Sequence, residues 1–241
     1  MVRSDGRAFS EMRPVKLTRG WAKYAEGSCL IEIGDTKVLC TASIDNTVPR
    51  WLQNSNTGWV TAEYGMLPRA TNSRNQRDAA RGRPDGRTIE IQRLIGRSLR
   101  CGIDLRALGQ RMITVDCDVL QADGGTRCAA ITGGWVALYE ALSRLRADST
   151  LRTMPLAHNV AAISVGVTAG KELLDLNYAE DSKAAVDMNV VMTEGGRLIS
   201  VQAGGEEETF SQDELGRLLE LAKAGIDQLV ALQNEAIKDI S

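Results

Sequence analysis

The sequence lacks several of the residues on which common enzyme mechanisms depend. Its 241 residues include one histidine, His158, and five cysteines that form no C-x-x-C pair. A closed zinc site normally takes four histidine or cysteine ligands, so this composition argues against one. A Ser-His-Asp triad would need His158, which lies in a linker-like stretch and is interpreted as a surface or loop residue. Any catalysis must therefore depend on carboxylates, arginines and a hard metal ion.

Long apolar runs are also missing. No segment approaches the 18 consecutive apolar residues that indicate a membrane-spanning helix, and the charged N-terminus has no apolar region typical of a secretory signal. The odd number of cysteines and their mostly apolar surroundings are typical of reduced thiols in a protein core. We therefore expect a cytoplasmic protein with no membrane partner.

Lysine is scarce relative to arginine, by 7 residues to 22, and charge is unevenly distributed along the chain. Residues 50–111 hold twelve arginines and five acidic residues, whereas residues 172–214 hold eleven acidic and two basic residues. The planar guanidinium group suits phosphates and stacked bases. The basic zone thus indicates a polyanionic partner, although a subunit interface or a solvated face would explain it as well.

The most informative stretch, residues 119–142, joins a predicted strand to a predicted helix. Apolar and polar residues alternate over residues 111–120, and apolar residues then recur at steps of three and four, as on one face of a helix. Between them lie Gly124, Gly125, Thr126 and Arg127. Two glycines permit a tight turn that exposes N–H groups, and a helix N-terminus attracts anions. The stretch indicates an oxyanion site, with a plain strand–helix connection as the alternative.

The rest of the pattern predicts two similar α+β halves. A Gly34-Asp35 loop joins two short β-rich runs and is a strong hairpin signal, and Ser211 opens a capping box before the last helix. We predict one domain over residues 1–241, with halves of about 1–150 and 151–241, mixed sheets and packed helices. The predicted strands are residues 28–33, 36–43, 59–64, 111–120, 160–168, 172–178, 185–193 and 197–202, and the earlier helices are 88–102 and 129–146.

Two aspartates in the second half are candidate metal ligands. The polar turn EDSK separates two apolar runs and would bring Asp181 and Asp187 to one end of adjacent strands. Oxygen ligands without histidine suit Mg²⁺ or Mn²⁺, and Mg²⁺ often takes one or two carboxylates plus substrate phosphate oxygens. Ordinary turn chemistry is the alternative.

Residues 66–87 are interpreted as a mobile or partner-ordered basic loop, since loops of this length are usually functional or disordered. The loop carries six arginines, namely Arg69, Arg74, Arg77, Arg81, Arg83 and Arg87. An anion site, a two-aspartate metal site and a basic surface together are what phosphoryl transfer on a nucleic acid requires.

Motifs along the whole chain resemble those of the bacterial ribonuclease PH family of phosphate-dependent 3′→5′ exoribonucleases. The resemblance runs from Arg7 and the Met12-Arg13-Pro14 motif to the final helix. Its blocks are AEGS, GDTKVLCTAS, GWVTAEYGMLPRAT, GRTIEIQRLIGRSLR, DCDVLQADGGTR and EDSKAAVDMNVVMT.

The resemblance implies a fold of two β-α-β units like domain 2 of ribosomal protein S5, and a homo-hexameric ring built as a trimer of dimers. It implies that inorganic phosphate, as co-substrate, attacks the 3′ end of tRNA precursors and releases nucleoside diphosphates. The resemblance assigns phosphate binding to Arg87, Gly125, Thr126 and Arg127. It assigns catalysis and metal binding to Asp181 and Asp187. It assigns RNA binding or assembly to Arg69, Arg74 and Arg77.

Two departures from the family pattern are visible. Cys128 follows the GGTR motif where the family usually has threonine, and residues 203–209 read AGGEEET where the usual pattern resembles GTAEGEP. Glu206 and Phe210 still align, but the acidic run at 206–208 is expected to weaken RNA approach or change metal occupancy. A catalytically silent RNA-binding ring subunit and a purely structural oligomer are the competing functions.

Overall fold

The computed structural model describes residues 3, 5–77, 80, 82–205 and 208–240. These residues form two β-sheets and five α-helices. The strands are β1 (Val15–Arg19), β2 (Gly27–Ile33), β3 (Thr36–Asp45), β4 (Trp59–Met66), β5 (Met112–Gln121), β6 (Val160–Thr168), β7 (Lys171–Leu174), β8 (Val186–Thr193) and β9 (Leu198–Gly205). The helices are α1 (Gly86–Cys101), α2 (Leu105–Leu108), α3 (Thr126–Ala147), α4 (Tyr178–Asp181) and α5 (Gln212–Ile237).

The first sheet has the strand order β1-β2-β3-β5-β4. The β2–β3 hairpin closes at Ile33 and Thr36 around Gly34-Asp35, as the sequence predicts. Strands β4 and β5 are parallel because the chain crosses back between them through α1 and α2. Alternate residues of β5 are buried, among them Val115 and Val119, which confirms the period-two interpretation of this segment.

The second sheet has the order β7-β6-β8-β9 and is antiparallel throughout. Helix α5 packs on it so closely that a Cβ added at Gly225 would lie 2.7 Å from the Cδ1 atom of Ile163. The Ser211 side chain accepts a hydrogen bond from the Glu214 N–H and completes the predicted capping box. The duplicated α+β architecture, with mixed sheets and packed helices, is thus confirmed.

Helix α3 lies between the two halves and is buried almost all round. The sequence predicts a single apolar face, whereas residues on every side of the helix are buried. A Cβ added at Gly133 would lie 2.7 Å from Ile31 on the first sheet, and Thr132 exchanges hydrogen bonds with the backbone of Ala162 on the second. The small residues in α3 are therefore explained by close packing on two sides.

The predicted strand over residues 172–178 is wrong beyond its start. Strand β7 ends at Leu174, and Asp175 takes a left-handed backbone with φ of 53°. Asn177 then caps helix α4, forming a reciprocal capping box with Glu180. Asp181 accordingly ends a short helix and does not stand at a strand end. Strand β1 and helices α2 and α4 were not predicted, because each is too short to show a periodic pattern.

The sequence predicts His158 at the surface and most of the cysteines in the core, and the structure agrees. His158 is exposed, and its carbonyl oxygen accepts a hydrogen bond from Trp135. Four cysteines are buried and Cys101 is exposed, and all five are free thiols. No helix in the described part of the chain is long and apolar enough to cross a membrane.

Candidate active site

A cleft of about 560 Å³ lies where the N-terminal end of α3 meets the second sheet. It is lined by every residue predicted to bind phosphate or to act in catalysis, namely Arg87, Gly125, Thr126, Arg127, Asp181 and Asp187. These residues come from α1, the start of α3, the end of α4 and strand β8. The fold therefore brings together two groups that are more than fifty residues apart in the sequence.

One wall of the cleft is the cradle, defined as Gly124, Gly125, Thr126 and Arg127. Gly124 and Gly125 have φ angles of 76° and 69°, which are left-handed and favour glycine. A Cβ added at Gly124 would also lie 2.7 Å from the carbonyl oxygen of Leu176. Both the conformation and the close packing thus explain a glycine at this position.

The N-terminus of α3 differs from those of the other described helices. Asp85, Asp104, Asn177 and Ser211 each accept a hydrogen bond from a first-turn N–H of the helix that they precede. No side chain of the described residues caps α3, whose N-cap residue is Gly125 and whose first residues, Thr126 and Arg127, line the cleft. First-turn N–H groups without a side-chain cap are satisfied by water or by a ligand, and they favour an anion.

The side chains of the cradle are held by neighbours on three elements. The Thr126 hydroxyl lies 2.8 Å from the Tyr64 hydroxyl. Burial raises the pKa of Tyr64, so this phenol stays protonated at neutral pH. The Nη1 atom of Arg127 donates to Gln202 at 3.3 Å, and Gln202 in turn donates to Glu90 on α1 at 3.2 Å. The guanidinium group is thereby tied to the helix that carries Arg87.

The same cleft is lined by the carboxylate pair, Asp181 and Asp187, both partly exposed. The Asn189 side chain donates to Asp187 Oδ2 at 3.3 Å, and the Cys128 thiol donates to Asn189 Oδ1 at 3.3 Å. Burial raises the pKa of Cys128 well above its usual value, so its thiol remains a donor. The unusual residue after the GGTR motif thus still donates a hydrogen bond to Asn189, although a thiol is a weaker donor than a hydroxyl.

The carboxylate pair fits a hard divalent cation better than zinc. Both side chains line the same cleft as the cradle, and together they offer only oxygen ligands. Among the described residues, no group of three or more His, Cys, Asp or Glu side chains is arranged to enclose a metal ion. Two carboxylates completed by substrate phosphate oxygens are the arrangement in which Mg²⁺ is usually bound.

Behind the cleft lies a buried group of charges, the arginine network, formed by Arg3, Arg7, Arg13, Asp175 and Glu180. Arg3 forms a bidentate pair with Glu180 at 2.8 and 2.7 Å. Arg13 forms one with Asp175 at 2.9 and 2.6 Å. The paired side chains are at most 5% exposed. Sequence reasoning missed this network because its members are up to 177 positions apart.

Three arginines of the basic loop lie outside the cleft. Arg69, Arg74 and Arg77 are exposed and do not line the cleft. Polar residues between them do line it, including Thr71, Ser73 and Asn75. The start of the loop is held by a hydrogen bond from the Ala122 N–H to the Ala70 carbonyl at 2.8 Å. Arg81 and Glu206, which were also singled out in the sequence, lie outside the described residues.

The family can now be assigned. Residues 11–143 match the model of domain 1 of the 3′ exoribonuclease family, and residues 158–225 match that of its domain 2. The first match alone spans more than half of the chain. The chain therefore belongs to the 3′ exoribonuclease family, whose two domain models are those of ribonuclease PH.

Several solved structures share the fold over nearly the whole chain. Rice (Oryza sativa) Rrp46 superposes with a TM-score of 0.78 at 22% identity, covering 96% of this chain and 98% of its own. A chain of the Archaeoglobus fulgidus exosome with RNA bound to the active site gives 0.82 at 21% identity, with coverage of 95% and 92%. An archaeal exosome core gives 0.76 at 21%, with coverage of 98% and 91%.

Proposed function

We propose that this chain is a phosphorolytic 3′→5′ exoribonuclease that trims the 3′ ends of tRNA precursors. The observation that carries the proposal is one cleft lined by an uncapped helix N-terminus, by Arg127 and by the two carboxylates Asp181 and Asp187. An anion site beside two carboxylates suits a reaction in which inorganic phosphate is the nucleophile. Membership of the 3′ exoribonuclease family supports the same reaction class.

In the proposed reaction, an oxygen of inorganic phosphate attacks the phosphorus of the last phosphodiester. The bond from that phosphorus to the 3′ oxygen of the preceding nucleotide breaks, and that oxygen takes a proton to become the new 3′ hydroxyl. The terminal nucleotide leaves as a nucleoside diphosphate, and the reverse reaction extends RNA from nucleoside diphosphates. No covalent intermediate with the protein is needed, so catalysis comes from positioning and charge stabilisation.

The cradle residues hold the attacking phosphate in this proposal. The first-turn N–H groups of α3, the Thr126 hydroxyl and the Arg127 guanidinium supply donors on one side, and Arg87 supplies charge from the start of α1. Arginine and backbone N–H groups bind phosphate oxygens with short, charge-assisted hydrogen bonds. The link from Arg127 through Gln202 to Glu90 ties Arg127 to α1, the helix that carries Arg87.

Asp181 and Asp187 would hold a Mg²⁺ or Mn²⁺ ion, which when bound supplies neutralisation of charge on the phosphoryl group. Asn189 orients one oxygen of Asp187, and the α4 capping box fixes the helix that ends at Asp181. Arg69, Arg74 and Arg77 are proposed to contact RNA or a neighbouring subunit of a homo-hexameric ring. Their exposure and the loop's position at the cleft support that role.

The decisive assay incubates the protein and Mg²⁺ with a tRNA that carries extra 3′ nucleotides, with and without inorganic phosphate. We expect nucleoside diphosphates to appear only when phosphate is present, because phosphate is the nucleophile. Thin-layer or liquid chromatography distinguishes diphosphates from the monophosphates that hydrolysis would release.

Other outcomes discriminate the competing functions. Tight RNA binding with no product at any phosphate concentration would establish a catalytically silent RNA-binding subunit instead. Nucleoside monophosphates formed without phosphate would indicate a hydrolase and would overturn the phosphate site. A monomeric mass in solution would remove the ring from the proposal while leaving the chemistry intact.

A further inference from the structure

The cradle is braced from behind by a residue that does not line the cleft. Arg13 precedes β1, and its side chain is 5% exposed. Its Nη1 atom donates to the carbonyl oxygen of Asp123, and its Nη2 atom approaches that of Gly124 at 3.4 Å. A Cβ added at Gly125 would lie 3.3 Å from Nη2. The guanidinium group is therefore packed directly against the turn that opens the cradle.

The side chain of Thr36, on β3, also forms hydrogen bonds to this turn. The Thr36 hydroxyl donates to the Gly124 carbonyl at 2.7 Å and accepts from the Asp123 N–H at 2.9 Å. Thr36 is fully buried and carries no charge. Two independent contacts thus fix the direction of the carbonyl groups at positions 123 and 124.

Fixing these carbonyl groups also fixes the N–H groups that follow them. In a trans peptide the C=O and the next N–H point in opposite directions in one rigid plane, and no described peptide bond is cis. Holding the Asp123 and Gly124 carbonyls toward Arg13 and Thr36 turns the N–H groups of Gly124 and Gly125 the other way. Gly124 and Gly125 both line the cleft.

Arg13 is itself fixed by the second half of the chain. Asp175 accepts hydrogen bonds from the Arg13 Nε, Nη2 and backbone N–H at 2.9, 2.6 and 2.8 Å. Burial alone would lower the pKa of Arg13, but its bonds to Asp175 and the nearby acidic charges raise it. The Tyr178 N–H also donates to Asp123 Oδ1 at 3.3 Å. These hydrogen bonds thereby tie the turn to the segment that leads to Asp181.

We propose that Arg13, anchored by Asp175, is a positioning residue that orients the Gly124 and Gly125 N–H groups for binding of the attacking phosphate. The proposal rests on the proposed function, because it assigns these donors to that phosphate. It gives a role to a buried arginine that does not line the cleft. It also predicts that loss of the uncharged Thr36 hydroxyl weakens phosphate binding, as a change at the charged Arg13 does.

The test compares Arg13→Lys and Thr36→Val with the wild-type protein. Lysine keeps the charge but cannot reproduce the forked contacts to Asp175 and two carbonyls, and valine removes only the hydroxyl. We expect Arg13→Lys to raise the KM for phosphate by about tenfold and Thr36→Val by about threefold, with kcat and the KM for RNA within about twofold. Calorimetric titration with inorganic phosphate should show matching losses of affinity.

Two further variants serve as controls. Thr36→Ser keeps the hydroxyl and should restore phosphate affinity to nearly the wild-type value. Arg3→Lys makes the same chemical change in the same network, but Arg3 contacts Glu180 and the carbonyl oxygens of Leu174 and Asp175, and it makes no hydrogen bond to the turn. It is expected to lower the melting temperature without changing phosphate affinity.

Unchanged phosphate affinity in folded Arg13→Lys and Thr36→Val would overturn the positioning role. Phosphate and RNA affinities that fall together, in step with the melting temperature, would overturn it as well, since that pattern indicates general destabilisation. If Arg13→Lys fails to fold, Thr36→Val decides the question alone. Failure of the proposed function looks different: the wild-type protein would then show neither phosphate binding nor phosphate-dependent product.

Discussion

The cradle and the carboxylate pair line the same cleft but are held by different interactions. The cradle is made largely of backbone, and the side chains that fix it, Arg13 and Thr36, contact the carbonyl oxygens of Asp123 and Gly124. The carboxylate pair consists of side chains, and Asp187 is oriented from the side by Asn189. The cradle therefore depends mainly on backbone conformation, and the carboxylate pair on side-chain contacts.

The difference indicates which kind of change each wall tolerates. A backbone anion site depends on conformation, so it should be sensitive to a Cβ at a left-handed glycine or to loss of a brace. A carboxylate site depends on charge, so an isosteric amide should disable it without disturbing the fold. The following predictions test this contrast, beginning with the largest expected effect.

Asp187→Asn should reduce kcat by roughly 10²–10³-fold because it removes a charge needed to bind the metal ion. RNA affinity, measured by filter binding or anisotropy, should stay within about twofold, since the basic surface is unchanged. Asp227→Asn on the exposed face of α5 is the matched control and should behave as wild type. A wild-type rate for Asp187→Asn at limiting Mg²⁺ would remove Asp187 from the site.

Arg127→Ala should raise the KM for phosphate by roughly 10–100-fold, so that turnover is lost at phosphate concentrations that saturate the wild-type protein. The oligomeric mass should not change, because Arg127 faces the cleft. Arg146→Ala, near the exposed end of the same helix, is the control. The phosphate site would have to be reassigned if Arg127→Ala kept its affinity for phosphate.

Gly124→Ala should lower the free energy of unfolding by about 1–3 kcal/mol, because φ of 76° strains alanine and a left-handed or crowded backbone costs that much. The added Cβ would also lie 2.7 Å from the Leu176 carbonyl oxygen and displace the turn, so phosphate affinity should fall by about tenfold. Urea unfolding and phosphate titration measure the two effects. Gly216→Ala, where a Cβ meets nothing within 4 Å, should instead stabilise α5 by up to about 1 kcal/mol.

Long periodic segments were predicted well from the sequence. Strand β6 begins and ends where its apolar run does, and the last helix begins at its capping box. Such elements are determined by local residue spacing and capping, which a sequence displays directly. The segment after β7 was mispredicted because a buried ion pair at Asp175 and a capping box at Asn177 override its β-like pattern.

The residue types of the candidate site were also apparent in the sequence. Two glycines, a hydroxyl and an arginine before a helix indicate an anion site, and paired aspartates indicate a hard metal. Their proximity was inferred there from resemblance, and the tertiary structure places them in one cleft. The roles of Arg69, Arg74 and Arg77, the metal and the division at about residue 150 remain predictions.

The sequence by itself determined most of the long elements, the chemical types of the site residues and the family, because these depend on local spacing and motifs. Only the tertiary structure decided which residues brace the site. Arg13 meets Asp175 and Gly124 through contacts that span 162 and 111 positions, and α3 is buried between two sheets. Such contacts leave no periodic signal, since they arise from how the two halves pack and not from any single segment.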